Sequence, residues 1–202
     1  MKNSLLMCDS TEGDGKAEIV MDYVMSWSLR HATKEYAEKK DLYRYCRYML
    51  YKLLQIKAPL KNIVFTDVKV WKEWQYIDLC AEVKLTNNGE EECYALLIEN
   101  KYYSKLHDNQ LQRYQAVFNA YYDKKNKEIK NKKDKWLLRY SLVSCLERQK
   151  QVDEMYAKEL KDTKFKALPF YKLICPDYWD KDALTYTDSE SDIFNEFWLR
   201  KW

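Results

Sequence analysis

Glycine and proline are scarce, with three of each in 202 residues. So few breakers exclude a chain of many tight turns and leave long regular elements. A cysteine pair at C-x-x-C spacing is absent too. The six cysteines (8, 46, 80, 93, 145, 175) are scattered, several inside apolar runs, as expected of reduced, buried thiols and not of zinc ligands. No run approaches about 18 consecutive apolar residues, which excludes a membrane-spanning helix. The apolar stretch after Lys2 is too short for a signal-peptide core. These absences predict a soluble, cytoplasmic protein. A net charge of +3 singles out no partner, so any electrostatic footprint must come from local clustering. What is present is an ordinary globular composition, 47% hydrophobic and 33% charged, with 18 tyrosines and 7 tryptophans.

Residues 1–15, with DSTEGDG, read as a flexible leader, and 16–202 as a single domain without internal repeats. A helix is expected over 16–32, with Ile19, Val20, Tyr23, Val24 and Trp27 at helical spacing. A second helix runs from an N-cap at Thr33 to before Pro59, its apolar stripe carried by Leu42, Tyr45, Cys46, Met49, Leu50, Leu53 and Leu54. Strands follow at 63–71 and 136–146, with KEWQ as a link after the first. A long helix is expected from Leu106 past Tyr122, and a polar helix over 147–160. FYKLI (170–174) reads as an edge strand, and a closing helix begins at Ser191. The run 124–135 holds seven lysines and two acids. A solvated helix end and loop is the simpler reading of it than a phosphate track.

The informative stretch lies between Tyr76 and Tyr114. YIDLCAEVKL and CYALLIENK flank a turn at Asn87-Asn88-Gly89, a hairpin pattern. Strand alternation puts Tyr76, Asp78, Cys80, Glu82 and Lys84 on one face of the first strand. It puts Cys93, Ala95, Leu97, Glu99 and Lys101 on one face of the second. ALLI is apolar on both faces, as in an interior strand covered by helices, yet the strand ends in Glu-Asn-Lys. Charges there are costly unless paired or metal-bound. Further on, Gln110 and Tyr114 lie four apart on one helix face, a polar amide where the period wants an apolar group.

Asp78, followed 21 residues later by Glu99-Asn100-Lys101 and then by Gln110-x-x-x-Tyr114, resembles the active site of the PD-(D/E)XK nuclease superfamily. LLIENK followed by QLQRY resembles one bacterial branch of it. Ile77 stands where the motif's proline is expected. The resemblance covers roughly residues 16–175 and implies an α/β fold. That fold is a restriction-endonuclease-like core, a mixed central sheet of four or five strands flanked by helices on both faces. Two converging carboxylates repel each other, a strain that a divalent cation relieves, and hard oxygen ligands suit Mg²⁺ or Mn²⁺. The resemblance further implies Asp78, Glu99 and the Asn100 backbone carbonyl as metal ligands. It implies Lys101 as base or electrostatic stabiliser, and Gln110 and Tyr114 as positioning groups. Asp22, in an acid-Ser26-Leu29 pattern, or in its place Glu18, would complete the site from the first helix.

Glu82 shares the face of Asp78 and either joins the site or pairs with a neighbouring lysine. His107 lies near it in sequence, but two histidines, His31 and His107, are too few and too far apart for histidine-based metal chemistry. The function this implies is metal-dependent hydrolysis of phosphodiester bonds in DNA. A homodimer is compatible with it where cleavage spans two strands. The alternative is a catalytically inactive nucleic-acid-binding or protein-interaction module that retains the fold.

Overall fold

The computed structural model describes residues 4–7, 14–174 and 187–200. In chain order its elements are α1 (Asp14–Arg30), α2 (Lys40–Leu53), β1 (Ile63–Trp74), β2 (Ile77–Asn87) and β3 (Glu90–Lys101). There follow α3 (Gln110–Glu128), β4 (Trp136–Ser144), α4 (Gln149–Met155), α5 (Ala157–Leu160), β5 (Lys166–Pro169) and α6 (Asp192–Trp198). The strands form one sheet in the order β1-β2-β3-β4-β5. The first three make an antiparallel meander, and β4 and β5 continue the sheet in parallel. This is a mixed α/β sheet, as the expected restriction-endonuclease-like core requires.

The long strands follow from the shortage of breakers, and both meander turns are two-residue turns with positive φ at each position. Asn88 (φ 51°) and Gly89 (φ 85°) join β2 to β3, where Asn87 pairs with Glu90. Gln75 (φ 53°) and Tyr76 (φ 66°) join β1 to β2, where Trp74 pairs with Ile77. The segment KEWQ is therefore no link: β1 runs through Trp74, because a tight turn needs no spacer.

Alternation then divides the core. On one face Leu79, Ala81, Val83, Leu96 and Ile98 pack with side chains of α1, α2 and α6, among them Met25, Met49 and Trp198. On the other face Cys80, Ala95, Leu97 and Leu142 pack with Leu111, Phe118 and Val152 of α3 and α4. From Tyr94 to Lys101 every residue of β3 is buried, as the two-sided apolar ALLI requires. Each fully buried Leu or Phe contributes roughly 1.5–3 kcal/mol of transfer free energy. The two layers thus hold the sheet, and a charged strand end between them must find partners of its own.

Several local expectations are corrected. Of the leader, Ser4 and Met7 are buried, Met7 in the α1–α2 core, while residues 1–3 and 8–13 lie outside the described part. In α1 the buried stripe is Ala17, Met21, Val24, Met25, Ser28 and Leu29, leaving Ile19 and Tyr23 exposed. The helix is rotated because Glu18 and Asp22 turn toward the polar end of β3 (below). Thr33 caps only a 3₁₀ turn, Lys34–Tyr36, without a side-chain hydrogen bond. His31 sits between the rings of Trp27 and Tyr36, and α2 begins at Lys40. The long helix begins at Gln110, after Asn109 in a left-handed conformation (φ 55°). Its Tyr121 is 47% exposed, while Phe118 and Tyr122 are buried. The 147–160 helix breaks at Tyr156, whose ring is buried and whose hydroxyl donates to the Ser104 carbonyl. FYKLI is not a strand. The edge strand is β5, and Pro169, which lacks an N–H, ends it in a 3₁₀ turn over Phe170–Leu173.

The described cysteines Cys46, Cys80, Cys93 and Cys145 are free thiols. Among the described residues no helix is long and apolar enough to cross a membrane.

Candidate active site

The register of the β2–β3 hairpin, carried one step beyond Leu79↔Ile98, sets Asp78 across from Glu99 on the α3 face of the sheet. One local turn therefore brings together two acids 21 residues apart. Glu99 is fully buried. Its Oε1 accepts from Gln110 Nε2 at 2.8 Å and pairs with Lys101 Nζ at 2.9 Å. Its Oε2 is buried without a hydrogen-bond partner. Gln110 is fixed at the first turn of α3. Its Oε1 accepts from His107 N at 3.2 Å, and its Nε2 also reaches the Tyr114 hydroxyl at 3.2 Å. Asp78, half-buried, opens with Tyr76, Arg113 and Tyr114 onto a cleft of about 910 Å³.

The acids of α1 arrive from the other layer. Glu18 spends both oxygens on the end of β3. Oε2 pairs with Lys101 Nζ at 3.3 Å, while Oε1 accepts from Tyr102 N at 3.1 Å and from the Ser104 hydroxyl. Asp22 Oδ1 accepts from Asn100 Nδ2 at 2.7 Å, and Asn100 Oδ1 is left buried without a partner. Because Asn100 alternates with Glu99 and Lys101, its side chain faces α1 while theirs face α3.

Burial dominates the electrostatics. It pushes the Glu99 carboxyl up to about 8, with Lys101 opposing and Asp78 adding to the rise. Burial likewise raises Asp22 to about 7, the Asn100 amide opposing and the Asp78 and Glu18 charges adding. Asp78 is raised by burial against the pull of Lys101, and stands within reach of a proton shared with Glu99. For Lys101, burial works against the ammonium, but the Glu99 and Glu18 carboxylates override it and hold the pKa above the ordinary lysine value. All three acids are thus held toward their protonated forms, chiefly by burial and in part by one another's charge.

Among the described residues no three His, Cys, Asp or Glu side chains converge as a ready metal cage. What Asp78 and Glu99 offer is a pair of hard carboxylates with one buried oxygen unsatisfied. That donor set fits a hard cation that keeps several waters, as Mg²⁺ does.

A family model for the PD-(D/E)XK nuclease superfamily matches residues 13–185, most of the chain. The chain belongs to that superfamily. No protein of curated function and no solved structure matches it. Membership makes nuclease activity, a nucleic-acid substrate and use of divalent metal the general expectation of the family.

The structure thus brings Glu18, Asp22, Asp78, Glu99, Lys101, Gln110 and Tyr114 to one end of the sheet. It leaves out Glu82, whose carboxylate is held by the Tyr122 hydroxyl at 3.0 Å and by Lys125. The His107 side chain is exposed, and His31, just past the end of α1, lies between the Trp27 and Tyr36 rings. Sequence reasoning missed the Asn100 amide, Ser104 and Arg113. Arg113 had a signal, since it follows Gln110 by three residues and so shares its side of a helix.

Proposed function

We propose that the chain is a divalent-metal-dependent nuclease that hydrolyses phosphodiester bonds in DNA. The observation that carries this reading is the buried Glu99 carboxyl, whose Oε2 receives no donor and which lies close enough to Asp78 to share a proton, with the Lys101 ammonium 2.9 Å from its other oxygen. Asp78, Glu99 and the Asn100 main-chain carbonyl would hold Mg²⁺ or Mn²⁺. When bound, the ion supplies Lewis-acid polarisation of the phosphate and a lowered pKa for water.

The residues of the chain supply the rest. Lys101 is ammonium at neutral pH, its pKa held high by Glu99 and Glu18. It therefore acts as a donor to the negative charge that builds on the phosphate, not as the base. Gln110 fixes the rotamer of Glu99, and Tyr114 lines the cleft where the substrate lies. Asp22 is preferred over Glu18 as the first-helix acid. Both Glu18 oxygens are already engaged, while Asp22 has one hydrogen bond and senses the Asp78 charge.

Calorimetric titration with Mn²⁺ and Mg²⁺ tests the proposal. Binding is expected to the natural chain and to vanish in Asp78→Ala/Glu99→Ala, with metal-dependent DNA cleavage following the same pattern. DNA binding in EDTA without metal binding or cleavage would instead establish the inactive nucleic-acid-binding module.

A second surface supports a polyanionic substrate. A groove of about 770 Å³ beside α2 is lined by Arg44, Arg47, Lys52, Lys57, Lys61 and Lys166, with no acid among the described residues that line it. Arg47 donates to the Leu60 and Ile63 carbonyls and keeps its Nε buried without a partner. The triple variant Lys57→Gln/Lys61→Gln/Lys166→Gln is expected to weaken DNA binding more at low salt than at high salt. The slope of log affinity against log salt should fall by about 0.9 for each duplex phosphate that the variant no longer neutralises. Fluorescence anisotropy in EDTA across a salt series measures it, and an unchanged slope would remove this groove from the DNA path.

A further inference from the structure

The two meander turns share one backbone geometry but not one chemistry. Positive φ at both central residues favours Asn-Gly, which is what the β2–β3 turn has in Asn88-Gly89. The β1–β2 turn places Gln75 and Tyr76 at φ 53° and 66°, and Glu73 just before it is also positive at 57°. Side chains of this size adopt that region at a cost, and such strain persists where something else selects the residue. Packing does not select Tyr76: it is 88% exposed, the most exposed aromatic ring among the described residues. What it has is position. It stands two residues before Asp78, on the rim of the cleft that Asp78 shares with Arg113 and Tyr114.

The surface continues along α3 in four-residue steps. Arg113 and Val117 line the Asp78 cleft, and Tyr121 and Lys125 line a smaller one with Trp71 and Trp74. Trp71 and Tyr121 are 41% and 47% exposed, and Trp74 meets Tyr121 edge-on at 4.9 Å. Exposed rings beside the Arg113 cation form a surface that unpaired nucleic acid fits, with bases stacked on the rings and a phosphate on Arg113, since Lys125 is already held by Glu82. A blunt duplex hides its base faces and has no use for the rings.

We propose that Tyr76 is a base-stacking residue that holds an unpaired nucleobase beside the Asp78–Glu99 carboxylates, so that the preferred substrate is single-stranded or unpaired at the cut. The assignment rests on the nuclease reading for the role of those carboxylates.

The test compares the natural chain with Tyr76→Phe and Tyr76→Gly, by anisotropy in EDTA on a labelled single strand, the same strand with an abasic position scanned along it, and a blunt duplex. Tyr76→Gly is expected to raise the thermal midpoint by relieving the turn and to weaken single-strand binding about 5- to 150-fold, the range for one stacked base. Tyr76→Phe should bind within about twofold of the natural chain. One abasic position should weaken the natural chain comparably and leave Tyr76→Gly unaffected. Unchanged affinity in Tyr76→Gly, an equal loss on every abasic strand, or tighter binding of blunt duplex than of single strand would each overturn the proposal. Cleavage by Tyr76→Gly at the natural rate on single strands would overturn stacking and leave the nuclease reading intact. Ring-dependent binding without metal-dependent cleavage would overturn the nuclease reading and leave stacking intact.

Discussion

Asp78→Ala and Glu99→Gln are each expected to lower DNA hydrolysis by about a thousandfold or more, since metal-assisted charge stabilisation is worth several kcal/mol and each 1.36 kcal/mol is tenfold in rate. The two substitutions reach that loss differently. Asp78 is half-buried at the cleft, so its removal leaves the fold unaffected and takes one hard ligand. Glu99→Gln keeps the buried shape and removes the charge. Lys101 then keeps Glu18 at 3.3 Å as its partner, so the ammonium stays in place. Lys101→Ala should also abolish cleavage while metal binding survives, because it withdraws the donor and spares the ligands. Cleavage of a labelled oligonucleotide under saturating Mg²⁺, with circular dichroism as the fold control, measures all three. Ordinary rates in any one would remove that residue from the chemistry. A Glu18→Gln variant separates positioning from ligation: it should slow cleavage with metal affinity preserved, since Glu18 acts through Lys101 and the Tyr102–Ser104 turn.

The same Glu99→Gln change is expected to stabilise the metal-free protein at alkaline pH and to flatten its pH dependence. The folded-state pKa of Glu99 is about 8 against an ordinary 4.5, so between those values the folded chain holds a proton that the unfolded chain has lost. Stability from this group is fully present below pH 4.5 and is lost as pH rises through about 8. Asp22 contributes in the same direction between 3.8 and about 7. Lys101 does not enter this window, because its pKa is raised above 10.5 and it stays protonated throughout. The effect is on the order of a few kcal/mol, or roughly 5–10 °C in midpoint for a chain of this size. Thermal melts in EDTA at pH 5 and pH 9 should show a larger drop in midpoint for the natural chain than for the variant. Mn²⁺ should restore the natural chain at pH 9 and not the variant, since a ligand carboxylate must be deprotonated to bind. Parallel pH curves for the two proteins would show that the buried carboxylate is not the titrating group.

Local pattern and tertiary packing divide this protein cleanly. The β2–β3 hairpin was legible because everything that sets it is local. Asn88-Gly89 closes the turn, alternation assigns the faces, and the register then fixes Asp78 opposite Glu99. The apolar run before Glu99 announced a strand buried on both faces, and the i, i+4 spacing of Gln110 and Tyr114 announced a polar group turned inward on a helix. Where the periodicity was ambiguous the reading slipped. In α1, apolar residues lie on more than one side, so composition favoured Ile19 and Tyr23 where packing chose Met21 and Met25. At the sheet edge, the apolar FYKLI outweighed the shorter KALP, which pairs in parallel with β4 and stops at its own proline.

The sequence by itself therefore determined the fold class, the hairpin and the strand that ends in charge, because a hairpin is governed by neighbours in the chain, while the register that sets Asp78 opposite Glu99 is read from the structure. Only the tertiary structure decided that Glu18 clamps Lys101, that Asp22 is held by the Asn100 amide, and that Tyr76 stands unburied over the cleft. Those interactions join α1 to β3 across about eighty residues, or depend on the shape of the cleft between β2 and α3. No periodicity encodes them, since they form only when separate elements, each satisfied locally, bury their remaining faces against one another.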